Sequence, residues 1–395
     1  MALETFDVVV VGGGPAGATA AADLAAAGRS VMLLDKAGRI KPCGGAVPPR
    51  LIRDFSIPDH LLVARATGAR MHSPKARQVD MPIDGGFVGM VDREVFDEWL
   101  RDRAAEAGAD RRDGLFDRLD RDQDGTAIVR YRDRAGKRDV AVRARTVIGA
   151  DGALSAVARQ AVPGGGKTRH VFAYHEIVRT PGRREGGPAQ DPCDIYYQGE
   201  LSPDFYAWIF PHGETTSVGT GSARKGFALR NAVAALRAKS GLAGADTIRR
   251  EGAPIPLKPL RRWDNGRDVI LAGDAAGVVA PASGEGIYYA MLGGRLAGEA
   301  VDEYLRTGEA AALKTARKRF MKDHGRVFLV LGIMQWFWYR SDSMRERFVS
   351  MCRDRDVQRL TWDAYMNKRL VRAEPLAHIR IFFKDLAHLL RLATP

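Results

Sequence analysis

The sequence contains few cysteines and no apolar segment long enough to cross a membrane. Its 395 residues include three cysteines, Cys43, Cys193 and Cys352, an odd number without metal-ligand spacing. We therefore expect neither a disulfide framework nor a metal site, and the cysteine usage indicates a reducing compartment. The apolar run at 327–339 has 13 residues, fewer than the ~20 that a spanning helix needs. No basic leader precedes the first apolar segment, so no signal or transit peptide is expected.

Acidic residues are outnumbered by basic ones, and most of the excess lies at the C-terminal end. The net charge is +13, and 306–395 holds 19 Lys and Arg against 9 Asp and Glu, a net of +10. This segment contains the run at 327–339 and an apolar stripe at helical spacing over 379–393. A basic amphipathic surface suits anionic lipid headgroups, so we expect peripheral association with the cytoplasmic side of a membrane. Packing of these faces on the protein's own core is the alternative, and no recognised nucleic-acid module is present.

The N-terminal segment carries a complete nucleotide-binding pattern. An apolar strand at 8–11 leads into Gly12, Gly14 and Gly17, and a second strand ends at Asp35, 23 residues after Gly12. In such a GxGxxG loop the glycines allow a tight turn and close approach of a pyrophosphate to the N-terminus of a helix, while the acid accepts a ribose hydroxyl. The sequence therefore predicts a bound dinucleotide, with contacts from Gly12, Gly14, Pro15, Ala16, Gly17, Asp35 and Lys36.

Two further glycine-and-acid motifs follow apolar strands far along the chain. Asp151 and Gly152 lie within TVIGADGALSAVAR, and Gly273 and Asp274 lie within DVILAGDAAGVVAPASGEGIYYAML. Since ligands bind at the carboxyl edge of open parallel sheets, these strand ends are expected to meet the same cofactor. A structural strand terminus is the alternative for either one alone.

Together these three motifs resemble the FAD-dependent hydroxylase and reductase superfamily. Two more motifs, KPCGGAVPPR at 41–50 and PDFYAWIFPHGETTSVGTG at 203–221, resemble the geranylgeranyl reductase family within it, and in particular its chlorophyll and bacteriochlorophyll branch. The second matches the family's PxxYxWxFP pattern followed by GxG. The resemblance implies FAD, reduced by NADPH, and contacts to it from Gly44, Gly45, Arg93, Asp151, Gly152, Gly273, Asp274, Gly286 and Ile287.

The resemblance also implies the reaction and its substrate. The family saturates three isolated double bonds of a geranylgeranyl group to give phytyl, on a geranylgeranylated chlorophyll or bacteriochlorophyll, on geranylgeranyl diphosphate, or on both. An isolated alkene needs a proton at one carbon and a hydride at the other, shielded from water. Cys43, Tyr206 and Trp208 are the candidate catalytic residues, with Cys43 or Tyr206 as proton donor and the aromatic strand as an apolar wall. Ordered water is an alternative donor, and electron-donor or pigment-synthesis proteins are candidate partners.

The predicted fold is α/β, with a Rossmann-like FAD-binding domain, an inserted antiparallel-sheet substrate domain and a helical C-terminal tail. The boundaries are 1–64, 92–160 and 265–305 for the first domain, 65–91 and 161–264 for the second, and 306–395 for the tail. A flavin monooxygenase of the same architecture is the nearer functional alternative, and it would couple oxygen uptake to product. A non-catalytic prenyl carrier is the farther one, although a carrier would have no need of the three nucleotide motifs.

Overall fold

The computed structural model describes residues 3–36, 40–182 and 191–368, and the chain divides into two compact units. The first unit comprises Met1–Lys41, Arg93–His170 and Pro254–Arg326, and the second comprises Pro42–Asp92, Val171–Ala253 and Val327–Pro395. Each unit is therefore assembled from three separate stretches of chain.

The strands, in chain order, are β1 (Thr5–Val11), β2 (Val31–Asp35), β3 (Ala46–Val47), β4 (Leu62–Ala66), β5 (Gly68–His72), β6 (Gln78–Pro82), β7 (Val88–Val91), β8 (Asp110–Arg121), β9 (Ala127–Asp133), β10 (Asp139–Gly149), β11 (His170–Arg179), β12 (Cys193–Tyr196), β13 (Ala207–His212), β14 (Thr215–Ser222), β15 (Thr247–Pro256) and β16 (Val269–Leu271). The α-helices are α1 (Pro15–Ala26), α2 (Pro49–Asp54), α3 (Arg93–Glu106), α4 (Ala156–Ala161), α5 (Leu229–Lys239), α6 (Ile287–Thr307), α7 (Lys314–Trp338), α8 (Asp342–Met351) and α9 (Arg355–Asn367).

The first unit is built on a sheet whose central strands are parallel. β1 pairs in parallel with β2 on one side and β10 on the other, β10 pairs in parallel with β16, and β9 joins β8 and β10 in antiparallel fashion. The β-branched run of β1 is almost fully buried, as expected for a parallel strand covered on both faces. The carboxyl ends of β1, β10 and β16 consequently lie side by side, and the three glycine-and-acid motifs follow them.

The second unit contains a seven-stranded sheet in the order β15-β11-β14-β13-β12-β5-β6 and a three-stranded sheet, β3-β7-β4. The pairings described within the larger sheet are antiparallel except for β12 with β5, which run parallel. A hairpin cannot join parallel neighbours, and here more than 100 residues of chain separate the two strands. Helix α5 packs on this sheet through Val233 and Leu236, which belong to one buried core cluster with Tyr174 and Val218 of the sheet.

The compact units divide the chain differently from the predicted domains at several boundaries, and residues 161–170 and 254–264, expected with the substrate domain, lie in the first unit. Residues 42–64, expected with the nucleotide-binding domain, lie in the second unit because β3 and β4 both pair with β7. The predicted tail is split, since residues up to Arg326 belong to the first unit and those from Val327 to the second. The predicted stripe at 379–393 lies outside the described residues. Among the helices that the structure describes, none combines the length and hydropathy needed to cross a membrane.

Candidate functional site

The first two glycine-and-acid motifs touch through atoms that leave no room for a side chain. A Cβ atom on Gly17 would lie 1.8 Å from the carbonyl oxygen of Gly12, and one on Gly12, where φ is +107°, would lie 2.4 Å from the carbonyl oxygen of Ala150. Helix α1 therefore starts directly against β1 and the end of β10, as a phosphate-binding turn requires.

The third motif, which contains Gly273, packs against the same first turn of helix α1. A Cβ on Gly273 would lie 2.7 Å from the Cβ of Ala16, and one on Gly294 of helix α6 would lie 2.1 Å from the Ala16 carbonyl oxygen. Glycine at these positions lets α6 and the turn after β16 approach the first turn of α1. The structure thus assembles three motifs, spread over more than 250 residues of sequence, around one helix N-terminus.

The space above that helix N-terminus fits a dinucleotide. Gly14 has an extended backbone and is followed by Pro15 at the first helical position, and α1 has no acidic residue in its first turn. A Cβ on Gly14 would meet nothing within 4 Å, in contrast to Gly12 and Gly17. Unpaired N–H groups and the helix dipole favour an anion there. The loop thus fits the pyrophosphate of FAD, which would be held by Gly14, Pro15, Ala16 and the neighbouring backbone.

Asp35 and Arg101 both bind the backbone of Gly13 in the loop, Asp35 as a hydrogen-bond acceptor and Arg101 as a donor. The Gly13 N–H donates to Oδ2 of Asp35 at 2.7 Å, and Nη1 of Arg101 donates to the Gly13 carbonyl oxygen at 3.3 Å. Arg101 is buried and also binds Glu98 through two guanidinium nitrogens. The sequence analysis identified Asp35 but missed Arg101, whose contact with Gly13 joins residues 88 apart in the sequence. Lys36 lies exposed immediately after Asp35.

Asp151 has a structural task that the motif alone does not reveal. Its carboxylate accepts the Ser155 hydroxyl and the N–H groups of Ala156, at 2.6 Å, and Val157, at 3.2 Å, and so caps helix α4. Burial raises the pKa of Asp151, and these hydrogen bonds oppose the rise. Gly152 has a φ of +88° with open space beside it. Direct contact of either residue with the cofactor stays a prediction.

Asp274 is nearly buried at the start of a short 3₁₀ turn, and its carboxylate forms an ion pair with Lys41. Gly286 precedes the first residue of α6, Ile287, and an added Cβ there would lie 3.9 Å from Oδ1 of Asp274. These three predicted contacts are therefore neighbours in the first unit. Lys41 was part of a quoted motif, but its partnership with Asp274, 233 residues away, had no signal in the sequence.

Arg93, expected to contact the cofactor, is engaged within its own helix. Its Nε and Nη2 donate to both carboxylate oxygens of Asp97 at 2.8 and 2.7 Å, and both side chains are buried. A bidentate pair of this kind fixes the guanidinium plane at the start of α3. Its contact with the cofactor stays a prediction.

In the second unit the 43–45 loop, from the motif at 41–50, packs on strand β13, which belongs to the motif at 203–221. A Cβ on Gly44 would lie 2.9 Å from the ring of Phe210 and 4.0 Å from Nε1 of Trp208. A Cβ on Gly45, where φ is +71°, would lie 2.5 Å from the Val91 carbonyl oxygen and 2.6 Å from Nε2 of His212. The 43–45 loop therefore lies flat on strand β13. Contacts of Gly44 and Gly45 with the cofactor stay predictions.

The three candidate catalytic residues lie on or beside this pair of motifs. Cys43 is partly exposed, and its Sγ accepts the Gly45 N–H at 3.4 Å. Tyr206 is buried in a stack with Phe205, with ring centroids 4.3 Å apart, and the Trp208 ring lies 5.9 Å away. Burial, together with Tyr339 and Cys43 nearby, raises the pKa of Tyr206 far above its ordinary value. Its hydroxyl therefore stays protonated at physiological pH.

The other two cysteines differ from Cys43 in their surroundings. Cys193 and Cys352 are fully enclosed, and burial raises the pKa of each thiol to about 12. A thiol in such surroundings behaves as a small apolar side chain. Cys43 is consequently the cysteine with the access that acid–base chemistry needs.

His212, at the end of β13, was not identified from the sequence. Burial beneath Gly45 lowers its pKa to about 4, so the ring is neutral at physiological pH. Its Nδ1 lies 3.1 Å from the Phe210 carbonyl oxygen. A neutral ring therefore packs against Gly45 of the loop without adding a charge there.

Comparisons with known proteins show what the whole chain is similar to. Residues 5–178 match the family model described as FAD binding domain. The geranylgeranyl diphosphate reductase of Rhodobacter capsulatus is 57% identical over 392 residues, which cover 99% of both chains. The protein of the same name from Synechocystis is 37% identical, covering 97% of this chain and 98% of its own. A geranylgeranyl bacteriochlorophyll reductase-like structure from Thermoplasma acidophilum has a TM-score of 0.79 at 22% identity, covering 95% and 100%.

These matches confirm the predicted fold class and the predicted FAD. Full-length identity at this level extends through both units, and the FAD binding domain match begins at β1 and contains the first two motifs. The chain belongs to the geranylgeranyl diphosphate reductase family and is an FAD-dependent oxidoreductase.

Proposed function

We propose that this protein uses NADPH and FAD to saturate the three isolated double bonds of a geranylgeranyl group, giving phytyl. The substrate is geranylgeranylated bacteriochlorophyll or chlorophyll, geranylgeranyl diphosphate, or both. The observation that carries the proposal is the full-length identity of 57% to a protein named geranylgeranyl diphosphate reductase. The packing of the 43–45 loop on an aromatic strand supports it, because a polyprenyl chain needs an apolar wall.

Different site residues bind the cofactor, donate the proton and exclude water. FAD, when bound and reduced, supplies the hydride. The loop around Gly14 and the N-terminus of α1 hold its pyrophosphate, and Asp35 accepts from a ribose hydroxyl. Cys43 holds the proton destined for the second alkene carbon and recovers one from solvent after each reduction. Tyr206 is the second donor candidate, and burial, which raises its pKa, makes its hydroxyl a weaker acid than that of an exposed tyrosine. Trp208 and Phe210 exclude water from the prenyl chain.

The test is an anaerobic incubation of the FAD-loaded protein with NADPH and geranylgeranylated bacteriochlorophyll, followed by mass spectrometry. We expect species that have gained two, four and six hydrogens in succession. A parallel reaction with geranylgeranyl diphosphate separates the two substrate forms. Oxygen uptake coupled to a hydroxylated product in air, with no hydrogen gain without oxygen, would instead identify a monooxygenase.

We also propose that helix α7 lies on the cytoplasmic surface of a membrane that holds the pigment. Leu329, Ile333 and Trp336 recur at helical spacing and are 64%, 56% and 69% exposed. The Arg340 guanidinium lies 5.7 Å from the centre of the Trp336 ring, at the end of this apolar face. A basic residue flanking an exposed apolar stripe suits an anionic lipid surface, and 306–395 carries a net charge of +10.

Membrane association is tested by sedimentation with vesicles of phosphatidylglycerol and phosphatidylcholine. Ile333→Glu should weaken vesicle binding about tenfold or more, because it puts a charge on the face of helix α7 that enters the lipid. Ile248→Glu is the matched control, since Ile248 is similarly exposed, at 49%, on β15. Equal binding of the wild type and Ile333→Glu would contradict the proposal.

A further inference from the structure

A row of polar side chains crosses the larger sheet of the second unit and ends at Trp208. Strands β15, β11, β14 and β13 are neighbours, and they contribute Glu251, His175, Ser217 and Trp208 in that order. Gly219 on β14 is paired with both His175 and Trp208. The row therefore spans four strands on one face.

Gly219 explains how the indole reaches the row. A Cβ on Gly219 would lie 2.3 Å from Cζ2 of Trp208 and 2.6 Å from the Cβ of His175. The absence of a side chain allows the indole to lie over β14, with its Nε1 within reach of Ser217. The first glycine of the GxG pattern thus has a specific task in this chain.

The hydrogen bonds of the row run in one direction. Nε1 of Trp208 donates to Oγ of Ser217 at 3.2 Å, Nδ1 of His175 lies 3.0 Å from the same Oγ, and its Nε2 lies 3.0 Å from Oε2 of Glu251. An ionised carboxylate only accepts, and Glu251 is ion-paired with Arg249 at 2.9 Å. Nε2 of His175 therefore donates, and Ser217 accepts from the indole; with a neutral imidazole, Nδ1 of His175 accepts from the Ser217 hydroxyl.

The row is enclosed and each of its donors has a defined acceptor. His175 is 2% exposed, Ser217 0% and Trp208 5%. In such an enclosed chain a change at the carboxylate end alters the acceptor strength at the indole end. The indole has a single N–H donor, so its ring plane is set by where that acceptor lies.

We propose that His175 is a positioning residue that acts through Ser217 to hold the Trp208 ring in one orientation against the 43–45 loop. The fixed ring sets the register of the prenyl chain during successive reductions. Apolar contacts have no direction, so the register of a repeating isoprenoid depends on the shape of the wall. This inference rests on the proposed function, because it concerns how one site handles three double bonds in turn.

Nuclear magnetic resonance of the indole N–H groups tests the hydrogen-bonded row without any turnover. The chain has six tryptophans, so ¹⁵N-tryptophan labelling gives a spectrum of six indole signals, and Trp208→Phe identifies the relevant one. We expect that signal to exchange slowly with solvent in the wild-type holoenzyme and to shift in Ser217→Ala and His175→Gln. A fast-exchanging Trp208 signal in the wild type would overturn the proposal even if neither variant folds.

Product distribution tests the consequence for the reaction. Ser217→Ala and His175→Gln should release about two- to tenfold more partially reduced prenyl product than the wild type, the range expected for loss of one neutral hydrogen bond. FAD content should not change. His72→Gln is the matched control, because His72 forms another buried histidine–carboxylate contact in the same sheet, 2.6 Å from Asp194, and stacks on Tyr196 instead of joining the row.

The outcomes separate this inference from the proposed function. Complete reduction by the wild type with an unchanged product distribution in both variants would refute the positioning role alone. A wild-type holoenzyme that leaves every geranylgeranyl substrate unreduced would refute the proposed function, and the positioning role with it. An equal shift in product distribution in His72→Gln would show that any buried polar defect in the sheet has this effect, which also contradicts the specific role of His175.

Discussion

Comparison of Gly14→Ala with Gly17→Ala distinguishes a glycine that FAD binding requires from one that the fold itself requires. Gly14 has φ −75° and ψ −175°, values that any residue adopts, and a Cβ would meet nothing within 4 Å. Alanine should therefore leave the FAD-free protein as stable as before, or more stable by about 0.4–1 kcal/mol through the lower entropy of its unfolded chain. With the pyrophosphate seated there, the same methyl group would be overpacked at about 1–3 kcal/mol. That corresponds to about a 5- to 150-fold loss of FAD affinity.

Gly17→Ala should behave in the opposite way. Its Cβ would lie 1.8 Å from the Gly12 carbonyl oxygen, so the loop and α1 must move apart even without FAD, and the fold should lose about 1–3 kcal/mol or more. Urea unfolding of FAD-free protein measures the stability, and fluorescence titration with FAD measures the affinity. Gly244→Ala, also unstrained and with open space beside it, controls for the effect of alanine itself. Wild-type FAD affinity in Gly14→Ala would refute the placement of the pyrophosphate.

Three further predictions concern His212, Lys41 and Cys43. Because burial lowers the pKa of His212 to about 4 from 6.5, its unfolded form takes up a proton first as the pH falls. The contribution of the neutral His212 ring to the free energy of unfolding is complete above pH 6.5 and is lost as the pH falls towards 4. The loss is about 2 kcal/mol after allowing for the partial exposure of the ring. Urea unfolding of His212→Asn should lack this part of the acid sensitivity, and an unchanged pH profile would contradict it. Lys41→Met leaves the buried Asp274 carboxylate without its ion-pair partner and should cost about 1–2 kcal/mol in urea unfolding, which Lys41→Arg largely restores. An equal loss in both variants would argue against the ion pair. Cys43→Ala should slow alkene reduction in a single turnover by about 100-fold or more with FAD binding unchanged, and an unaltered rate would assign the proton to Tyr206 or water.

The sequence predicts the parts of this fold that depend on local pattern. The β-branched run before Gly12, the spacing of the three glycines and the acid at Asp35 each follow from strand periodicity and turn geometry, so the nucleotide-binding start of the chain could be located residue by residue. The helix expected after the glycine loop is α1, which begins at Pro15. The pattern itself predicted a dinucleotide, and its resemblance, together with the two distant motifs, to the FAD-dependent hydroxylase and reductase superfamily implied FAD.

The parts that escaped prediction depend on contacts between distant segments. The ion pair of Lys41 with Asp274 joins residues 233 apart, and the packing of Gly44 on Phe210 joins two motifs more than 160 residues apart. The compact units group residues 42–64 with the second sheet, a grouping that the sequence does not signal because the two-residue strand β3 is too short to carry a periodicity. Asp151 shows the converse case, since a familiar motif also conceals an ordinary helix cap.

The most direct test of the central claim is single-turnover reduction under anaerobic conditions. The FAD-loaded protein is reduced with one equivalent of dithionite, so that no reductant is left over, mixed with geranylgeranylated bacteriochlorophyll, and followed by flavin absorbance and substrate mass. The account predicts reoxidation of the flavin in step with the gain of two hydrogens by the prenyl chain, and fully saturated phytyl product when NADPH sustains turnover. A flavin that stays reduced while the substrate mass stays constant, with geranylgeranyl diphosphate as well as the pigment, would contradict it.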